Sequence, residues 1–323
     1  PLDENLLETT IGYEQLAVDL TAFLAQHVTD KNVKASLDFA LLEDFDHLYR
    51  YANLLEVDMK AKAEDYVGDY TEIMPARPTI AHHRHPFDSV KKPINNKTAT
   101  PFDKCAVSII TAAEQQTMNY YMNLGGFYKN KIGREIYTEI AMVEEQHVTQ
   151  YGSLIDPTAS WFEMCLMHEY IECYLYYSMY CDESEGYIKD IWQMLLEQEI
   201  AHLHASKQNL EKYEKKSWQE VIPDGNFPTL ISFKSNKEYI RNVIKNSVTM
   251  TANREGFIKL DKLPDNADFF KYQKKVVKNP KDDASHKVIE SHIKIYGQDY
   301  RVQDKPHPIK PLASRKKDNT DIG

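Results

Sequence analysis

Glycine is scarce in this chain, 11 of 323 residues, and none of it forms a loop with the spacing that cradles phosphate. Cysteine is scarcer still. Cys105, Cys165, Cys173 and Cys181 make no C-x-x-C pair and no zinc-finger spacing, which argues against a disulfide framework and against structural zinc. No apolar run approaches eighteen residues, and Pro1-Leu2-Asp3-Glu4 has neither a basic patch nor the apolar stretch of a signal peptide. A soluble, cytoplasmic protein with no membrane partner is expected. No Ser-His-Asp pattern signals a nucleophilic enzyme.

What is abundant is Leu, Ala, Glu, Lys and Tyr, a mixture that favours helices over sheets. Charge is unevenly spread. Residues 218–323 hold 20 Lys/Arg and 14 Asp/Glu, whereas residues 1–217 hold 19 and 35. An acidic unit with a basic extension predicts that the tail packs on its own bundle or on a neighbouring subunit's, the latter giving a homo-oligomer through the extension. Nucleic acid is not an expected partner, because the basic residues alternate with acids and carry no recognition motif.

The informative pattern is a spacing. Glu14 stands thirty residues ahead of Asp44, which is followed three residues on by His47; Glu114 stands likewise to Glu144 and His147, and Glu169 to Glu199 and His202. Of the five Asp/Glu-x-x-His matches, only these three have the upstream Glu; the other two have Asn253 and Lys274 there. A carboxylate and a His at i and i+3 project from one helix face and can grip one ion. The midpoints fall at Thr29, Lys129 and Ser184, each in a turn-like stretch. Each Glu therefore faces its carboxylate–His pair across a helical hairpin with arms of about 22 Å. All nine residues are candidate metal ligands, and the apolar flanks predict that His47, His147 and His202 point inward.

Periodicity places the hairpins at about 5–56, 102–154 and 159–215. Residues 57–101, rich in proline between 65 and 102, read as an extended crossover. Within it, His82, His83, Arg84 and His85 offer a weaker metal site, with plain surface residues as the simpler reading. Beyond the bundle, assigned to 1–217, the extension 218–323 is expected to carry helices at 236–253, 267–277 and 284–296, then an extended arm. Tyr170, Tyr174, Tyr176, Tyr177 and Tyr180 share one helix, where packing is the plain reading and a radical or electron relay the sharper one.

Glu on one helix and Glu-x-x-His on its hairpin partner, repeated, resembles the ferritin-like superfamily of di-iron and di-manganese carboxylate proteins. Rubrerythrins look closest, with Glu172 standing where an extra carboxylate is expected. The resemblance implies an all-α, ferritin-like bundle holding two Fe ions, or Mn, bridged by carboxylates. Two departures stand out: the rubredoxin module is missing, and there are three hairpins where the family needs two. In such a bundle the connection between hairpins must traverse its length. Residues 57–101 can do this and the short link 154–160 cannot, which favours Glu14, Asp44, His47, Glu114, Glu144 and His147 as the main site. The third hairpin replaces the first, adds ligands or forms a second site.

Carboxylate and imidazole ligands suit Fe and Mn, whereas thiolates would have pointed to zinc or copper. The resemblance implies an oxidoreductase that activates dioxygen or reduces peroxide, with the electron donor or small-molecule substrate unknown. Non-catalytic iron binding or storage, and a helical scaffold with vestigial ligands, are the alternatives.

Overall fold

The computed structural model describes residues 5–78, 83–279, 282–299, 301, 305–313 and 315–318. Two long hairpins come first: α1 (Leu6–His27) with α2 (Lys31–Met59), and, beyond a crossover holding the short α3 (Glu64–Val67) and α4 (Pro86–Ser89), α5 (Pro101–Leu124) with α6 (Lys131–Gly152). A third hairpin, α7 (Trp161–Asp182) and α8 (Gly186–Asn209), follows. The bends fall where the spacings centre them.

The helix ends are fixed by local chemistry. Asn5 accepts from the backbone of Leu7 and Glu8 while the Glu8 side chain accepts from Asn5 N, a capping box; Ser160 and Glu163 repeat it on α7. Asp30, Thr100 and Asn130 cap α2, α5 and α6 through their side-chain oxygens. Each such cap is worth about 1 kcal/mol. Lys60 stops α2 in the left-handed conformation (φ 61°).

Two buried clusters set the directions of the first four long helices. Leu7 and Ile11 of α1, Leu54 and Leu55 of α2, Tyr121 of α5 and Ile136 of α6 meet at one end. Leu24, Leu37, Ala106 and Tyr151 meet at the other. α1 and α6 therefore run one way, α2 and α5 the other, and the crossover spans the bundle's length. It is threaded into the protein, since Thr71–Pro78 is buried throughout. Arg77 in this stretch donates to the carbonyls of Phe39 and Ser247.

The C-terminal extension packs on the same bundle. α9 (Lys237–Ser247), α10 (Asp268–Val276) and α11 (Ala284–Tyr296) are its helices. Ile240, Val243, Ile244, Val288 and Ile289 join the cluster that holds the end of α2. Tyr49 of α2 donates to the buried Asp299, and Arg315 lies over the Tyr49 ring. One expectation needs correction: the helix expected over 236–253 ends at Ser247. Met250–Asn253 forms a strand, β1, antiparallel to β2 (Gly256–Lys259). The β-branched Thr249 and Thr251 and the tight turn through Arg254 (φ 53°) to Gly256 favour a hairpin over another helical turn.

Candidate metal centre

α1 brings Glu14, α2 brings Asp44 and His47, α5 brings Glu114, and α6 brings Glu144 and His147 to one height midway between the two apolar clusters. None of these six residues is more than 2% exposed. Their ligand atoms fall into two groups, Asp44–Glu114–Glu144–His147 and Glu14–His47–Glu144, each with its atoms within 4.8 Å of one another. Glu144 belongs to both. One of its oxygens lies 3.0 Å from His47 Nδ1 and the other 3.0 Å from His147 Nδ1. The His147 Nδ1 also stands 3.2 Å from Asp44 and 3.5 Å from Glu114. The two imidazole centroids are 6.1 Å apart. Of the three spacings, two thus meet in the interior.

Four carboxylates at this depth are costly without cations. Two unit charges 4 Å apart at an effective dielectric of 20 repel by about 4 kcal/mol. Burial among like charges favours the protonated carboxyls. Burial pushes the Asp44 carboxyl up to about 7, with the Glu114 charge adding to it. Burial also pushes Glu144 up to about 8, again with help from Glu114. Glu14 is raised well above the carboxylate range by burial, although His47 pulls the other way. Burial alone would depress His147, but Asp44, Glu43 and Glu114 outweigh it and hold the imidazole well above its ordinary value. Glu14 Oε2, Asp44 Oδ2 and both Glu114 oxygens have no hydrogen-bond donor. Orphaned buried acceptors facing one another are what a cation site requires. Two dications would cancel the four carboxylate charges, so the residues present fit a pair of divalent ions.

A second layer, which the sequence did not single out, orients the centre. The Nε2 of His147 is bonded to Glu43, and Glu43 is held by Arg84 at 2.7 Å, with Arg77 at 3.7 Å. An ionised carboxylate only accepts, so Nε2 carries a proton, and Nδ1 is the nitrogen turned toward Asp44, Glu114 and Glu144. Tyr121 donates to Glu14 Oε1, and its ring is met by Tyr51, tilted at 5.4 Å, and by Tyr137, edge-on at 5.6 Å. These tyrosines, and not those of α7, lie beside the centre. Tyr170 and Tyr174 donate to the carbonyls of Asn226 and Thr229 and so tie down the start of the extension.

The remaining sequence candidates fare differently. Glu169, Glu199 and His202 do come together, with His202 Nδ1 2.9 Å from Glu199 and 3.9 Å from Glu169. They lie at the surface, however, and the His202 side chain is 61% exposed, which corrects the expectation that it points inward. The apolar flanks of α8 are real, but no second hairpin covers them. Glu172 lines an apolar cavity of about 460 Å³ between α1, α5 and α7 instead of joining a ligand group. None of the six buried residues lines that cavity. In the crossover, His83 is buried, and desolvation, with Arg84 nearby, lowers it to about 4. Arg84 is committed to Glu43, His85 caps α4, and His82 lies outside the described residues.

No helix among the described residues is long and apolar enough to cross a membrane. No family model, curated protein or solved structure matches the chain. The functional reading therefore rests on the chemistry of the centre itself.

Proposed function

We propose that the chain is a ferritin-like dinuclear-metal oxidoreductase that activates dioxygen or reduces peroxide, with iron as the first choice of metal and manganese as the second. The observation that carries this reading is the position of Glu144, one carboxylate belonging to two ligand groups, each completed by a His from a different hairpin. The opposed directions of α1/α6 and α2/α5 and the long crossover support it, because they are what the ferritin-like arrangement requires.

Within this reading, Glu14 and His47 would serve one ion and Asp44, Glu114 and His147 the other, with Glu144 within reach of both. A bound metal pair supplies reversible electron transfer and activation of an oxygen–oxygen bond. The protein does the rest. Glu43 fixes the tautomer of His147 and aims its Nδ1. Tyr121 holds a proton against Glu14 at the edge of the centre, and the two apolar clusters keep bulk water from it. Hard-to-intermediate oxygen and nitrogen donors favour Fe and Mn over softer metals.

The test is direct. Anaerobically iron-loaded protein is mixed with oxygen or with hydrogen peroxide, and consumption of each is followed together with oxidation of an added one-electron donor. Repeated turnover of donor against either oxidant is expected. Fully loaded protein that is inert to both, or that reacts once and then only accumulates ferric mineral, would overturn the oxidoreductase reading in favour of iron binding.

A further inference from the structure

The third hairpin is half of a centre without its other half. α7 and α8 carry Glu169, Glu199 and His202 with ligand atoms within 4.8 Å of one another, the same set that α1/α2 and α5/α6 each contribute to the buried centre. In the buried centre each hairpin is covered by the other. On α7/α8 the corresponding face is open: none of the 24 residues of α8 is buried. Yet Ile188, Trp192, Leu195, Leu196 and Leu203 line the same side of α8 as Glu199, all of them only half-buried. Phe162, Cys165 and Tyr176 do the same around Glu169 on α7. Packing within the hairpin covers one flank of this stripe, where Trp192 lies 6.0 Å from Tyr176, and leaves the residues half-exposed on the other.

We propose that two copies of this chain dock through their α7/α8 hairpins and bind a second dinuclear metal centre at the interface, with Glu169, Glu199 and His202 donated by each copy. The ligands sit near the middle of both helices, so a two-fold axis through them brings the two hairpins into full overlap, an isologous contact that closes. Helices of 22 and 24 residues lying side by side present a face of about 33 by 20 Å, roughly 1,300 Å² counted over both copies. That is within the range of a stable interface. Charge decides when it forms. Two copies bring four carboxylates face to face, which repel until two dications sit between them, the same balance as in the buried centre. Dimerisation is therefore linked to the metal.

The proposal shares only its ligand chemistry with the function proposed above, and its test separates the two. Full-length protein is stripped with a chelator, then titrated with Mn²⁺ alone, while mass is read by light scattering and bound metal by elemental analysis. The expected result is a monomer in chelator and a dimer in Mn²⁺, with dimer affinity raised at least about tenfold by the ion, and three Mn per chain at saturation. The surface variants Glu199→Gln and His202→Ala are expected to remain monomeric in Mn²⁺ while retaining two Mn per chain. His147→Ala, in the buried centre, is expected to lose metal there and still dimerise. A monomer at every Mn²⁺ concentration, a dimer that forms equally well in chelator, or a Mn²⁺-dependent dimer indifferent to Glu199→Gln and His202→Ala would each overturn the interfacial centre and leave the buried one standing.

Discussion

Glu43 accepts a hydrogen bond from His147 Nε2–H and is itself ion-paired with Arg84, so a carboxylate outside the ligand set decides which imidazole nitrogen faces the centre. Glu43 and Asp44 are neighbours on α2, yet Asp44 faces the other carboxylates of the cluster and Glu43 meets the crossover. The crossover is thereby part of the site, because it delivers both Arg84 and Arg77.

Glu43→Gln is expected to weaken metal binding about 10- to 100-fold, the range seen when a carboxylate behind a metal-bound His is lost. Helicity should be unchanged by circular dichroism, while metal competition with a fluorescent chelator reads the affinity. Glu43→Leu is expected to be far worse for folding. It strands Arg84 in the interior, a loss of about 3–5 kcal/mol by urea denaturation.

His147→Ala removes a ligand but leaves the apolar faces of α6 intact. Metal occupancy is expected to drop by at least one ion per chain while helical content stays within a few per cent of the parent. Elemental analysis on purified protein, paired with circular dichroism, makes the comparison. Undiminished metal content would remove His147 from the centre.

The metal-free protein is expected to lose stability as pH rises from 6 to 8. Asp44 at about 7 and Glu144 at about 8 lie far above their values in an unfolded chain, so the native state binds more protons across this window. Stability then falls with rising pH, because the unfolded chain sheds those protons first. His147, also raised, adds to the same trend. Metal replaces the protons, so the rise in melting temperature on adding Mn²⁺ should be larger at pH 8 than at pH 6. Glu139, raised to about 8 by burial and by Asp283, is remote from the ligands and leaves a shallow decline even in loaded protein. Glu144→Gln, which cannot ionise, should remove its own share of the metal-free trend and leave the share owed to Asp44, His147 and Glu139.

Tyr121→Phe deletes the hydroxyl that donates to Glu14. Leaving a buried oxygen without its donor costs about 1–3 kcal/mol, and a loss in that range is expected for the metal-free protein. In loaded protein the loss should be smaller, since an ion then satisfies Glu14. Equal losses in both states would mean that Glu14 does not face a metal.

The spacing of Glu14, Asp44 and His47, and of its second copy, was readable because a hairpin converts sequence distance from a bend into height on a helix. Three bends, six long helices and the crossover followed from that rule and from proline content. What the spacing cannot encode is what covers a face. His202 has a Glu three residues ahead, as His147 does, and a second Glu thirty residues before that; among the described residues another hairpin buries His147 and none buries His202. Glu43 was hidden for a related reason: in the run Glu43-Asp44-Phe45-Asp46-His47 every acid looks alike until Arg84 arrives from a distant segment. The β1–β2 hairpin was masked by the apolar residues of α9 immediately before it, which extend a helical period past Ser247.

Glu144 is proposed to stand between two metal ions. A crystal of the full chain grown with Fe²⁺ or Mn²⁺, with anomalous maps recorded at both metal edges, tests it most directly. Two peaks about 3.5–4 Å apart are predicted in the interior, one beside Glu14 and His47, the other beside Glu114 and His147, with Glu144 touching both. A single peak, or an empty interior at saturating metal, would contradict it.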